Sequence, residues 1–327
     1  MIYPEFIQKK EIIGICAPSA GVGRKIEDYD RSIETLVKKG YQIKETESVR
    51  INDPRSNTPE QRGKELNELF EDDSVRMVMC AAGGDFLDEM IPYANFKLMQ
   101  KHPKWLMGAS DPTGLLYPYT VKYDVATIYG ANAGSYDIRP LPKYLQNNLK
   151  IISGDLITQK SFPKYMKTAP FLAEELILDT PNKWQATVEE LEVEGRCIGG
   201  CIDVLKDLIG TRFDATKSFV KKYKEDGFIW YFDNFSQSAE VFYRTLLQMK
   251  FAGWFENARA ILVGRVLFES SETGMTYEEA LQRAFPDIPV VYQADVGHTV
   301  PSMTMFNGAI LHLSYKKHKA SLTFELK

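Results

Sequence analysis

Short apolar runs closed by glycine, proline or serine alternate along the first half of this chain with stretches whose apolar residues recur three and four apart. The first pattern marks buried strands and the second helices lying against them. Glu11-Ile12-Ile13-Gly14-Ile15-Cys16-Ala17 predicts a strand that stops at Pro18-Ser19-Ala20-Gly21. Ile26, Tyr29, Ile33, Leu36 and Val37 then keep helical spacing up to Gly40, a residue suited to the left-handed turn after a helix. Tyr41–Val49 predicts a second strand. Thr58 and Pro59 predict a helix start with Leu66, Leu69 and Phe70 on its apolar face, and Val75–Ala82 predicts a third strand running into Gly83-Gly84. Strands alternating with helices imply a mainly parallel sheet, whose ligands gather at the carboxyl ends of the strands. Gly83-Gly84 and Ser110 both fall at such ends.

The pattern loosens between about Asn147 and Asn182, where Pro163, Pro170 and Pro181 interrupt it, and becomes mixed from Trp184 onward. Glu190–Arg196, Gly227–Asp233, Ala260–Val266 and Pro289–Ala294 predict strands. Phe242, Leu246 and Met249 mark one face of a helix reaching Gly253, and Thr276–Phe285 predicts another helix. Ile310–Tyr315 and Ser321–Leu326 alternate as a closing antiparallel pair around a basic turn at Lys316-Lys317-His318-Lys319. The expected class is α/β: an N-terminal parallel-sheet domain over 1–165, a linker over 166–183, and a mixed α/β domain over 184–327.

With 327 residues and 44% apolar content the chain can bury a large core. A net charge of −4 with scattered basic residues argues against a nucleic-acid partner. Neither a signal peptide nor an apolar run of membrane-spanning length is evident, so the cytoplasm is expected. Four cysteines fit that compartment. Cys197 and Cys201 form C-x3-C without a second Cys/His pair, so no metal site is expected there.

The candidate chemistry begins at Trp105-Leu106-Met107-Gly108-Ala109-Ser110-Asp111-Pro112-Thr113-Gly114. A strand end, a Gly-x-Ser turn and a helix with proline at its start present a serine hydroxyl beside helix-start N–H groups able to hold an oxyanion. The plainer reading is that Ser110 or Asp111 caps the next helix. An activated serine needs a base. His102 sits in a Lys-His-Pro-Lys loop, His312 in a strand and His318 in the basic turn, whereas His298 follows a strand in Asp295-Val296-Gly297-His298-Thr299, a loop able to reach a cleft. Asp233, closing Phe228-Ile229-Trp230-Tyr231-Phe232-Asp233, is the best-placed acid, although it could instead cap the following turn.

Several motifs in order resemble peptidase family S66, the LD-carboxypeptidases and microcin C immunity proteins. They are Ala17-Pro18-Ser19, Arg62-Gly63-Lys64-Glu65-Leu66, Ala82-Gly83-Gly84-Asp85, Pro103-Lys104, Gly108-Ala109-Ser110-Asp111-Pro112-Thr113, Gly195-Arg196-Cys197-Ile198-Gly199-Gly200 and Gly297-His298. Gly83–Glu89 with Tyr129-Gly130-Ala131-Asn132 looks nearer the microcin-immunity branch. The resemblance implies an active site between the domains, with Ser110 as nucleophile, His298 as base and Asp233 as acid. It also implies an oxyanion hole from the Gly84 and Asp111 N–H groups. Gly83 and Trp184 become candidate substrate contacts, Trp184 by stacking on an adenine or aromatic leaving group, although a tryptophan near a domain junction more often serves packing.

The implied reaction is amide hydrolysis of a small peptide or peptidyl-nucleotide through an acyl-enzyme, with no cofactor. The sequence departs from the family at two points: alanine replaces the usual tyrosine at 109, and Asp233 stands where the family carries glutamate, eleven positions before Arg244. A shorter acid requires the backbone around His298 to approach by about 1 Å, and active sites tolerate slack on that scale poorly. The family also suggests a homodimer, with Phe251-Ala252-Gly253-Trp254-Phe255 either buried or part of the subunit surface. Two other classes compete. A nucleotide-binding α/β protein would cradle phosphates at Gly21-Val22-Gly23 or Gly83-Gly84-Asp85, but neither carries the P-loop Lys-Ser/Thr or a complete G-x-G-x-x-G; a non-catalytic relative would bind peptide or peptidyl-nucleotide ligands without cleaving them.

Overall fold

A computed structural model describes residues 1–173 and 175–327, and the chain divides into two compact units, 1–156 and 157–327. The segment 166–183, expected as a linker, therefore lies inside the second unit.

The first unit runs β1 (Ile12–Cys16), α1 (Ile26–Lys38), β2 (Gln42–Glu45), α2 (Pro59–Glu71), β3 (Val75–Cys80), α3 (Leu87–Met90), α4 (Phe96–Lys101), β4 (Trp105–Gly108), α5 (Thr113–Tyr123), β5 (Thr127–Tyr129) and α6 (Lys143–Ile152). Its strands are all parallel, in the order β5-β4-β3-β1-β2. Thr58 caps α2 through its side chain, with Pro59 following, as the sequence predicts. The predicted second strand is cut short. As an edge strand β2 pairs only with β1, and beyond it Glu47–Arg50 coils into a 3-10 turn where the buried Glu65 carboxylate accepts from the Ser48 hydroxyl at 2.7 Å.

The second unit runs β6 (Thr158–Lys160), β7 (Lys164–Tyr165), β8 (Thr180–Pro181), β9 (Gln185–Ala186), β10 (Glu190–Cys201), α7 (Ile202–Leu208), α8 (Thr216–Lys222), β11 (Phe228–Asp233), α9 (Ala239–Phe251), β12 (Ala258–Gly264), α10 (Tyr277–Ala284), β13 (Val290–Ala294), β14 (Met305–Asn307), β15 (Ile310–Lys316) and β16 (Lys319–Glu325). Its mixed sheet has the order β6-β16-β15-β10-β11-β12-β13-β9, with β10 to β13 parallel and the flanking strands antiparallel. The hairpin β15–β16 turns through Lys317 and His318, both left-handed.

Strand β10 extends past the predicted Arg196 to Cys201. Its outer half alternates because one face is wet. Its inner half pairs with β11 and is buried throughout, which erases the alternation. The run at 251–255 splits: Phe251 is 82% exposed, whereas Trp254 and Phe255 pack on Trp230 with ring centroids 5.7 and 5.5 Å away. Among the described residues no helix is long and apolar enough to cross a membrane.

Candidate active site

Four chain segments meet around Ser110, each leaving the carboxyl end of a parallel strand: 17–20 after β1, 81–87 after β3, 109–112 after β4 and 130–132 after β5. Ser110 has φ = 70°, a left-handed backbone that non-glycine residues adopt only under constraint. The constraint is visible. The Asn132 amide brackets Ala109, accepting its N–H at 3.0 Å and donating to its carbonyl at 3.3 Å. The Tyr129 hydroxyl accepts the Ser110 N–H at 3.0 Å, which takes that donor away from any oxyanion. Opposite, a side chain at Gly83 would crowd Ser110, since a Cβ there would lie 3.1 Å from its Cβ and 3.3 Å from its Oγ.

Asp111 does not cap α5, whose N-cap, Pro112, has no capping side chain. The Asp111 carboxylate instead accepts from the Ser19 hydroxyl and from the Leu87 N–H at 3.1 Å, tying the first and third strand-end loops to the elbow. Burial pushes its pKa up to about 6, against the pull of those two hydrogen bonds. The buried Arg62 guanidinium reinforces the junction by donating to the Pro18 and Phe86 carbonyls at 2.9 and 3.0 Å.

The second unit holds the candidate acid and base. Asp233 ends β11 and is fully buried, and its Oδ2 lies 2.8 Å from His298 Nδ1. The other oxygen accepts the His298 backbone N–H at 3.2 Å. Gly297, with φ = 98°, lets the loop wrap this closely: a Cβ there would fall 2.0 Å from Asp233 Oδ1. The close backbone approach required by a shorter acid is thus built into the loop. Burial alone would depress the His298 pKa, but the Asp233 charge and contact, with Asp203 behind them, outweigh it and raise the pKa above the ordinary histidine value. Phe235 packs against the imidazole at 4.6 Å between centroids. Asp203 fixes the Phe235 loop by accepting the Phe235 and Ser236 N–H groups at 2.9 and 3.2 Å. Asp233 does not cap a turn; Asn234 accepts from the Gln237 N–H, and Ser238 caps α9.

Of its two readings, Trp184 takes packing. It is fully buried, and its indole N–H donates to Asp295 Oδ2 at 3.1 Å, so it offers no stacking face and braces the loop that carries His298. Asp295 also accepts from the Phe162 N–H and the Asn182 amide, and it pairs with Arg265 at 2.5 Å. Arg265 in turn reaches Thr299 Oγ1 at 3.2 Å, on the far side of His298. Sequence reasoning gave no role to Arg265, Asp295, Asp203 or Phe235; the only signal was that Asp295 and Phe235 lie within three positions of a candidate. Tyr129 and Asn132 stood in a motif without an assigned task.

The predicted residues therefore form two groups, Gly83, Gly84, Ser110 and Asp111 in the first unit and Asp233 with His298 in the second. Two family profiles place the chain among the carboxypeptidase-type serine peptidases. The family profile described as the LD-carboxypeptidase N-terminal domain matches residues 13–130, and that of the C-terminal domain matches 194–313. The chain belongs to peptidase family S66, the LD-carboxypeptidases. It is 26% identical to the microcin C7 self-immunity protein MccF of Escherichia coli over 311 residues, covering 90% of this chain and 87% of that one. It is 24% identical to the "Probable murein peptide carboxypeptidase" of Bacillus subtilis strain 168 over 316 residues, covering 94% and 89%. The solved structure of MccF in complex with aspartyl sulfamoyl adenosine superposes with a TM-score of 0.84 at 22% identity, covering 100% of this chain and 99% of that one.

Proposed function

We propose that Ser110, His298 and Asp233 act as one catalytic triad that hydrolyses an amide bond in a small peptide or peptidyl-nucleotide. The observation that carries this reading is the His298 Nδ1–Asp233 Oδ2 contact of 2.8 Å in a buried, glycine-wrapped loop. It places a carboxylate where it selects the imidazole tautomer with a proton on Nδ1 and a lone pair on Nε2. His298 Nε2 accepts the Ser110 proton as Oγ attacks the carbonyl, and the imidazolium then protonates the leaving amine. The Gly84 and Asp111 N–H groups hold the oxyanion. This choice agrees with the capture of the Ser110 N–H by Tyr129. Water attacks the resulting acyl-enzyme with His298 again as base.

The relatives include a microcin self-immunity protein and a probable murein peptide carboxypeptidase, and one solved relative is in complex with aspartyl sulfamoyl adenosine. We assign this chain to the aminoacyl- or peptidyl-nucleotide class, on the Gly83–Glu89 and Tyr129–Asn132 signatures. Purified protein assayed side by side should cleave aspartyl sulfamoyl adenosine faster than an L,D-tetrapeptide; the reverse order moves it to the murein class, and no cleavage of either with intact folding overturns the hydrolase reading. Four buried thiols fit a reducing, cytoplasmic setting. The exposed Phe251 at the end of α9 suits a homodimer contact, and a monomer mass by light scattering at micromolar concentration would reject it.

A further inference from the structure

Cys201 ends β10 directly opposite Asp233 in the register of β11. Its sulfur, an Asp233 carboxylate oxygen and a His298 ring nitrogen all lie within 4.8 Å of one another. Thiolate, imidazole and carboxylate are the three donor types that bind zinc, and three protein ligands with a fourth position left for water is a common zinc arrangement. We propose that these three side chains form an inhibitory site for a soft divalent cation such as Zn²⁺ or Cd²⁺.

The three atoms come from the ends of adjacent parallel strands and from one glycine-wrapped loop, so the backbone already holds them on one side of the sheet. Tetrahedral zinc with bonds of about 2.0–2.3 Å separates its donors by roughly 3.5 Å. Closing the cluster onto an ion therefore asks for a side-chain adjustment of about 1 Å, within reach of a rotation at Cys201. Binding expels one proton: the Cys201 thiol becomes a thiolate bonded to the metal and its proton passes to solvent. Burial and the charges of Asp233 and Asp203 hold that thiol protonated in the metal-free protein, so the metal must drive the deprotonation.

The consequence for catalysis follows from the two nitrogens of one ring. His298 Nδ1 faces Asp233. Once a metal occupies Nδ1, the neutral imidazole carries its proton on Nε2 and has no lone pair left to accept one from a serine. The ion would thus silence the base without touching Ser110. This inhibition rests on the triad reading; metal binding does not, and the two are measured separately.

The protein, freed of metal with a chelator and kept reduced, is titrated with Cd²⁺ while the ultraviolet sulfur-to-cadmium charge-transfer band and the heat of binding are recorded. One equivalent should bind with the thiolate band. Cys201→Ala, and Cys201→Ser in case the alanine variant folds poorly, should lose the band and bind at least tenfold more weakly, whereas Cys197→Ala should keep both. Absence of the band in wild type, or its survival in Cys201→Ala, overturns the site. In parallel, Zn²⁺ should block fluorophosphonate labelling of wild type and leave Cys201→Ala labelled at its metal-free rate. Binding at Cys201 without loss of labelling would overturn the inhibitory role while keeping the site.

Discussion

Ser110 is held through its peptide groups by neutral hydrogen bonds, whereas His298 is held by buried charges around its ring and loop. At the elbow the strained φ of 70° is locked by peptide-group hydrogen bonds to Tyr129 and Asn132 and by a glycine face at Gly83. At the histidine loop the geometry comes from a buried ion pair, an aromatic wall and a carboxylate that grips both the ring and its own backbone N–H. The elbow lock is a local set of neutral hydrogen bonds from two side chains to adjacent peptide groups, so the loss of one side chain has a modest cost. A lock of buried charges spans many residues and fails when one charge loses its partner.

The largest expected effect tests the acid. Asp233→Asn should fold yet lose about 10⁴-fold in kcat, because the amide selects the wrong tautomer and leaves the imidazolium unsupported. Activity requires neutral His298, so it rises with pH through a raised pKa; removing the Asp233 charge that raises it should move this acid limb to lower pH. Asp233→Glu should not restore activity, since Gly297 already abuts Oδ1 and an extra methylene has no room. Wild-type turnover in Asp233→Asn would remove this residue from the mechanism.

Next in size is the lock of buried charges. Arg265→Ala leaves Asp295 buried without its cation, and breaking such a pair costs about 3–5 kcal/mol. For a protein of this size calorimetry should record a fall of the thermal midpoint on the order of 10 °C. An unchanged midpoint would show that the pair does not support the loop.

A smaller effect separates the elbow's charge from its shape. Asp111 is raised to about 6 by burial, so the native state binds more protons than the unfolded state between its ordinary pKa and that value. The corresponding stability is present below the ordinary pKa and is lost as pH rises through about 6. Urea unfolding from pH 4 to 7 should show this decline in wild type, and Asp111→Asn should lack it. The smallest effect belongs to Tyr129→Phe. It leaves the Ser110 N–H without its acceptor, a loss of about 1–3 kcal/mol, and should lower kcat roughly tenfold with KM little changed.

The elements were legible where burial alternated with exposure, where a glycine closed a helix, as Gly40 does after α1, or where a cap opened one, as Thr58 does before α2. Edge pairing and full burial blurred β2 and the inner half of β10. At the candidate site, the local pattern left Ser110 and Asp233 as readily helix or turn caps and His298 as readily a surface residue, and only the ordered family motifs singled the three out. The supports were not readable. Arg265, Asp295 and Trp184 meet only through the sheet, from positions 265, 295 and 184, and a single sequence carries no mark of such long-range pairing. Trp184 stayed open between stacking and packing for the same reason: a tryptophan near a junction reads alike whether its face is open or its indole is spent on a buried aspartate.

The central claim is that an activated Ser110 depends on the Asp233–His298 pair, and covalent labelling tests it most directly. A fluorophosphonate probe, followed by peptide mapping, should modify wild type on Ser110 alone, fail on Ser110→Ala, and label Asp233→Asn and His298→Ala at least 10²-fold more slowly. Equal labelling rates in wild type and His298→Ala, or modification at a different serine, would contradict the account.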